Sequence, residues 1–141
     1  MVMKRSILVP IVLFISLSLY SQSVRLENKY GAEVVYVDGS TLKLKNKYGE
    51  ALYYFDGQTI RERNKYGDAI VFIDGNVVRV KNGYGKAILY FDGRTIRSEN
   101  KYGDALYYLD GQVLKYNNKY GDKLYYLEGP PQKWVLICLI I

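Results

Sequence analysis

"NKYGDALYYLDG", residues 100–111, decides the fold of this chain, because a near-copy, "NKYGDKLYYLEG", follows at residues 118–129. The two copies start 18 residues apart (118 − 100 = 18), and the same interval recurs along the chain. Six units begin in this way, at Asn28, Asn46, Asn64, Asn82, Asn100 and Asn118. A fixed short period without insertions is typical of repeat proteins, in which each unit buries its apolar side against its neighbours.

Each unit has the pattern of a β-hairpin when its positions are numbered 1 to 18 from the asparagine. Positions 7 to 10 are apolar, Asp-Gly or Glu-Gly occupies positions 11 and 12, and a second strand-forming run follows. Asp-Gly between two such runs predicts a type I′ turn, whose two central residues need positive φ. Asn-Lys-Tyr-Gly predicts a second turn, with its glycine in a left-handed conformation.

The predicted turn also assigns the two faces of each hairpin. A loop at positions 11 and 12 would place position 10 opposite 13 and position 9 opposite 14. In the second unit the predicted core face holds Ala51, Tyr53, Phe55, Gln58, Ile60 and Glu62. The predicted outer face holds Glu50, Leu52, Tyr54, Thr59, Arg61 and Arg63.

We therefore predict an all-β domain over residues 23–133, with six 18-residue antiparallel hairpins in a closed or flower- or barrel-like array. Pro130 and Pro131 interrupt the second strand of the sixth unit, because proline cannot donate to a strand ladder. The apolar residues 134–141 are predicted to cap the core, and a docking tail is the alternative. A parallel β-solenoid with 18 residues per coil is the alternative fold, since positions 3, 9 and 15 are apolar.

Residues 1–22 are predicted to be a secretory signal peptide. Lys4 and Arg5 precede an apolar run over residues 7–20, and small residues follow, which indicates cleavage near Ser21 to Ser23. A retained membrane anchor is the alternative, but the run is shorter than the ~20 apolar residues that a span needs. The mature protein is expected to be exported, to be periplasmic, cell-surface or secreted, and to have no stable membrane span.

Composition argues against catalysis and against nucleic acid as a partner. The chain has 20 Lys and Arg against 14 Asp and Glu, and these charges are interleaved rather than clustered. It has no histidine, the commonest general base and metal ligand, and neither Ser40 nor Ser98 lies in a nucleophile motif. We predict a non-enzyme without a cofactor. The single cysteine, Cys138, has no disulfide partner within the chain.

A ladder of aromatic and basic residues is the candidate ligand site. Positions 9 and 16 would lie diagonally across each hairpin, where long side chains meet. The ladder comprises Tyr36, Tyr54, Phe72, Tyr90, Tyr108 and Tyr126 with Lys43, Arg61, Arg79, Arg97 and Lys115. It could grip a glycan, another polyanion or an envelope component. The alternative, which we favour, is structural: each cation packs on the ring and pairs with the acid at position 5.

A second ladder consists of turn aspartates, which could stack near one another to bind calcium. Its members are Asp38, Asp56, Asp74, Asp92 and Asp110. Calcium needs six to eight oxygen ligands, usually from closely spaced acids, whereas the turn alone explains one aspartate per unit. No metal site is predicted.

The hairpin segments "LYYFDGQTIR" (52–61) and "LYYLDGQVLK" (106–115), preceded by a secretory leader, resemble the short repeats of bacterial β-flower proteins. The resemblance implies hairpins arranged around a pseudo-symmetry axis, and it implies no activity and no catalytic residues. Six units exceed the four expected of that arrangement. The predicted function is a structural or interaction module of the bacterial envelope or exterior, with carbohydrate or polyanion binding by the ladder as the alternative.

Overall fold

The computed structural model describes residues 21–141, which form twelve β-strands and one α-helix. The strands are β1 (Ser21–Leu26), β2 (Glu33–Asp38), β3 (Thr41–Leu44), β4 (Ala51–Phe55), β5 (Thr59–Glu62), β6 (Ala69–Asp74), β7 (Val77–Val80), β8 (Ala87–Asp92), β9 (Thr95–Ser98), β10 (Ala105–Asp110), β11 (Val113–Tyr116) and β12 (Lys123–Leu127). The helix is α1 (Lys133–Ile140). The predicted signal peptide, apart from its last two residues, lies outside the described residues.

The twelve strands form one closed, antiparallel, up-and-down sheet. Each strand pairs with its neighbours in the chain, and β1 pairs with β12 to close the ring. This arrangement confirms the predicted all-β array of hairpins and excludes the parallel solenoid. Within residues 21–141, closure leaves no strand edge free to pair with another molecule.

The first strand completes the sixth hairpin. The sixth unit supplies only β12, because Pro130 and Pro131 follow its turn and the chain then enters the helix. β1 takes the place of the missing strand, with Val24 opposite Leu127 and Arg25 opposite Tyr126. The sequence contains evidence for this role of β1, because "SQSVRLE" (21–27) aligns with "GQTIRER" (57–63), which includes the second strand of the second unit.

The hairpin turn is centred one residue later than predicted. Asp38 lies opposite Thr41 and Val37 opposite Leu42, so Gly39 and Ser40 are the central residues. Of these two only Gly39 has positive φ (62°), as in a type II′ turn, where glycine comes first. The predicted type I′ turn and its opposing pairs were therefore wrong. Around the turn, the predicted core and outer faces are still correct. The shift changes each partner by two positions, and a shift of two keeps a strand residue on the same face.

A β-bulge at position 7 moves two residues to faces that were not predicted. Leu42 pairs with Tyr53 and Lys43 with Ala51, which leaves Leu52 between the two pairs. Leu52, predicted on the outer face, therefore packs against the core, and Ala51 lies opposite an outward-facing lysine. The same shift recurs in the other units, and the position 7 residues packed against the core are Val34, Leu52, Ile70, Ile88 and Leu106.

The core fills the inside of the ring and includes the helix. Inward residues at position 15 and about half of those at positions 8 and 10 are buried, and they include Val35, Val37, Leu42, Ile60, Val71, Val78, Leu89, Phe91, Ile96, Leu114 and Leu127. The remaining inward residues at positions 8 and 10 are partly buried against this core. Five consecutive helix residues, 134–138, are also buried, which is more than one helical turn, so the helix is surrounded on all sides. Trp134 stacks on Phe55 at a centroid distance of 5.3 Å. Burial also raises the pKa of the free thiol of Cys138.

Candidate functional site

The two ends of the closed sheet differ in chemistry. Because the strands alternate in direction, all Asp-Gly and Glu-Gly turns lie at one end and all Asn-Lys-Tyr-Gly turns at the other. The helix begins at the Asp-Gly end, where Lys133 Nζ donates to the carbonyl oxygen of Gly75 at 3.0 Å. It runs toward the other end, which carries the Asn-Lys-Tyr-Gly turns. Near that end, burial raises the pKa of Tyr53, and Cys138 of the helix and Glu62 raise it further. No helix within residues 21–141 is long and apolar enough to cross a membrane.

The structure brings the predicted ladder residues together, directly opposite rather than diagonally. Tyr54 lies opposite Arg61, and Tyr90 opposite Arg97. The other pairs are Tyr36 with Lys43, Phe72 with Arg79, Tyr108 with Lys115, and Tyr126 with Arg25 of β1. The aromatic members are half-buried in the outer wall of the sheet.

The basic members of the ladder are already engaged within the protein. Arg97 donates through Nε to Asp92 Oδ2 at 3.0 Å and through Nη1 to the carbonyl oxygen of Gly103 at 3.2 Å. The equivalent ion pairs are Lys43–Asp38, Arg61–Asp56, Arg79–Asp74, Lys115–Asp110 and Arg25–Glu128, at 2.8 to 3.3 Å. The structural alternative had placed the acid at position 5, whereas the structure places it at position 11. These cations therefore tie each hairpin turn to the following loop.

Each recurring aspartate forms an ion pair within its own hairpin. Burial acts to raise the pKa of Asp56, but hydrogen bonds from the backbone of Thr59 and Gln58 and from Arg61 outweigh it and lower that pKa. Lys115 lowers the pKa of Asp110. Within the described part of the chain, no three His, Cys, Asp or Glu side chains cluster in a way that could hold a metal ion.

The turn that begins each unit is Asn-Lys-Tyr-Gly in five units and Asn-Gly-Tyr-Gly at residues 82–85, and its asparagine hydrogen bond is the same in all six. In the first, Asn28 Oδ1 accepts a hydrogen bond from the Tyr30 backbone at 2.8 Å, and the Asn28 carbonyl accepts from Gly31 at 2.9 Å. The glycine is required because a Cβ on Gly31 would lie 1.8 Å from the carbonyl oxygen of Leu26. The prediction of a left-handed glycine was wrong: the left-handed residue is Glu27 (φ 61°), at position 18.

The tyrosines of these turns point into solvent. They are 84 to 100% exposed, and they are Tyr30, Tyr48, Tyr66, Tyr84, Tyr102 and Tyr120. In five turns the preceding lysine lies over the ring, with Nζ 5.2 to 5.3 Å from the centroid. Hydrogen bonding explains the asparagine and a close approach explains the glycine, but neither explains the tyrosine. In the sequence these tyrosines read as part of the turn, but an aromatic residue in a solvent-facing turn is itself a signal of an exposed contact surface.

Apolar side chains lie exposed inside this circle of tyrosines. Position 17 lies opposite the inward position 8, so its side chains face the mouth of the ring. The exposed members are Leu26, Leu44, Val80 and Tyr116, at 39 to 58%, and Ile141 after the helix is 44% exposed. An open cavity of ≈ 290 Å³ is lined by Leu52, Tyr53, Glu62 and Arg63. We call the six tyrosines with these five apolar residues the tyrosine face.

Comparison with protein families identifies a family whose match covers most of the chain. Residues 24–138 match the family described as "6-fold beta flower protein". The match begins within β1, which fits the role of that strand in completing the sixth hairpin. Six-fold symmetry agrees with the six units and replaces the four expected from the resemblance. No curated protein and no solved structure matches the chain.

Proposed function

The chain belongs to the 6-fold β-flower family, and on that premise we propose that it is an exported interaction module of the bacterial envelope or exterior that contacts its partner through the tyrosine face. The family description specifies a fold and names no reaction. The observation that carries the proposal is the exposure of six tyrosines, one per unit, in turns whose geometry does not require them. Large aromatic side chains repeated at one end of a molecule are typical of interaction surfaces.

Export is part of this proposal and rests on the leader-like residues 1–22. The first strand narrows the proposed cleavage site, because Gln22 and Ser23 are 4% and 7% exposed and Gln22 Nε2 donates to the carbonyl oxygen of Glu128. Cleavage before Ser21 would leave this strand intact, and cleavage before Gln22 would remove only its first residue. Cleavage after Gln22 would remove a buried side chain and place a charged amine in the sheet.

We further propose that the protein acts by binding rather than by catalysis. The support is that the charged side chains of the wall form the same ion pair in each of the six hairpins. Carbohydrate or polyanion binding by the ladder is the alternative. It has less support, because the ladder cations hold two internal hydrogen bonds each in the second to fourth hairpins.

Fractionation of a bacterium expressing the full chain tests the proposal. We expect a leader-free protein in the envelope or exported fraction, with the cleavage site read by mass spectrometry. The double variant Tyr66→Ser with Tyr102→Ser should be lost from the envelope fraction, because it no longer binds its partner there. Tyr54→Ser with Tyr90→Ser, which removes the same number of tyrosines from the ladder, should leave retention unchanged. An uncleaved cytoplasmic protein, or equal retention of both variants, would contradict the proposal.

A further inference from the structure

The six exposed tyrosines form a flat, circular display. Each follows the same Asn hydrogen bond of 2.8 to 2.9 Å and occupies the same place in an identical repeat, so the six rings project to a common level. They surround the mouth of the closed sheet. A flat partner can contact all six at once. A linear polymer that crosses the mouth would meet only a minority of them.

The tyrosine face also has the composition of a membrane-contacting surface. Tyrosine combines an apolar ring with a polar hydroxyl and is enriched where protein meets the membrane–water interface. Inside the ring of tyrosines lie Leu26, Leu44, Val80 and Ile141, each 39 to 46% exposed. An apolar centre within a belt of amphipathic aromatic residues provides both apolar contacts and hydroxyl groups for a lipid surface.

Charge at this end favours an anionic surface, by a small margin. The turn segments at positions 17, 18 and 1 to 5 contain nine basic residues, namely Lys29, Lys45, Lys47, Arg63, Lys65, Lys81, Lys86, Lys101 and Lys119. They contain seven acidic residues, namely Glu27, Glu50, Glu62, Asp68, Glu99, Asp104 and Asp122. The difference is 9 − 7 = +2. Lysine stems can extend along the rings and place their ammonium groups among lipid headgroups.

From these observations we propose that the tyrosine face docks onto the surface of a lipid bilayer that carries anionic headgroups. The inference rests on the proposed function and names its partner. The contact is peripheral: tyrosine rings and the apolar centre enter the interface, and the lysines contact the headgroups. Because the charge excess is small, aromatic and apolar contacts carry most of the affinity, and added salt weakens binding only in part.

Vesicle co-sedimentation with the leader-free protein tests this proposal. The probes are phosphatidylcholine vesicles with and without phosphatidylglycerol. We expect stronger binding when phosphatidylglycerol is present, and a loss of about tenfold or more in Tyr66→Ser with Tyr102→Ser. Tyr54→Ser with Tyr90→Ser is the matched control and should bind like the parent. Circular dichroism melts establish that each variant is folded.

A lysine variant separates the electrostatic part from the aromatic part. Lys65→Gln with Lys101→Gln should reduce the preference for phosphatidylglycerol while leaving binding to neutral vesicles nearly unchanged. An equal loss on both kinds of vesicle would overturn the assignment of an anionic surface.

Other occupants of the face give different results. No vesicle binding by the folded parent protein overturns the lipid proposal. A concentration-dependent dimer in sedimentation velocity that Tyr66→Ser with Tyr102→Ser abolishes would identify a second copy as the partner. Retention on purified peptidoglycan with the same sensitivity, without vesicle binding, would identify a glycan. Either result overturns the lipid inference and leaves the proposed use of the tyrosine face in place, whereas failure of that proposal shows separately in the fractionation experiment.

Discussion

Arg25 and Glu128, 103 residues apart in the chain, form an ion pair with Arg25 Nε 2.9 Å from Glu128 Oε2. Their pair is equivalent to Lys43–Asp38, which joins residues five apart within the first hairpin. The two ends of the repeat region are therefore joined by the same contacts as a single hairpin. A hydrogen bond to Glu128 also raises the pKa of Arg25.

The ion pairs of the wall are expected to be structural and tolerant of lysine. The first and fifth hairpins use Lys43 and Lys115, and each lysine contacts both the turn aspartate and a loop carbonyl. Arg97→Lys should therefore change the free energy of unfolding little. Arg97→Gln should lower it by about 1 kcal/mol, because the pair is partly exposed. Urea unfolding measures both changes in free energy, and equal losses in the two variants would contradict the expectation that lysine can replace Arg97.

The two kinds of glycine should respond differently to alanine. A Cβ on Gly49 would lie 1.6 Å from the carbonyl oxygen of Leu44, so Gly49→Ala must displace backbone and should cost on the order of 3 kcal/mol. Gly39 has φ +62° and open space around it, so Gly39→Ala should cost only about 1 to 2 kcal/mol. Thermal melts rank the two variants, and the reverse order would show that the turn geometry is different.

The helix inside the ring should be essential to the core. Ile137 is fully buried, so Ile137→Ala should lower the free energy of unfolding by about 2 to 5 kcal/mol through lost contacts and a cavity. Ile141, 44% exposed, is the matched control, and Ile141→Ala should cost about 0.5 kcal/mol or less. A small effect of Ile137→Ala would mean that the strands fold without the helix.

Stability should decline in acid through Asp56 and Asp110. The pKa of each is lowered in the folded protein, so between the folded and unfolded pKa values the unfolded chain binds more protons. The stabilisation is present above the unfolded pKa, near ~4, and is lost as pH falls through the folded value. Melting temperatures from pH 6 to pH 2 measure this loss. Asp56→Asn should flatten part of the decline, and an unchanged profile would refute the assignment.

The hairpin array could be predicted from the sequence because the period and the alternation of turn types both constrain topology. The centre of the turn could not be predicted. Asp-Gly fits a type I′ turn, but the aspartate instead ends the strand, where its carboxylate forms an ion pair with the cation at position 16. The bulge at Leu52 was also missed, because a regular alternation of faces hides an inserted residue. The closing strand was missed because residues 21–27 were assigned partly to the leader.

The candidate site was harder to predict than the fold. The ladder residues do meet, as at Tyr54 and Arg61, but only the structure shows that internal partners occupy the cations. The sequence places the exposed tyrosines in a recurring turn motif, so their location in a turn could be predicted but their exposure as a group could not. A left-handed residue, such as Lys45 (φ 67°), also precedes each of these turns, and no local sequence rule predicts it.

A nuclear Overhauser effect between the α-protons of Val24 and Leu127 tests ring closure by the first strand most directly. Glu128 N donates to Ser23 O at 3.0 Å, so the adjacent Val24–Leu127 pair is a non-hydrogen-bonded one, in which the α-carbons approach most closely. The same contact is expected for Leu109 and Leu114 within a covalent hairpin, which serves as the internal control. We predict cross-peaks of equal strength for both pairs. A cross-peak for the control alone would show that the sheet is open.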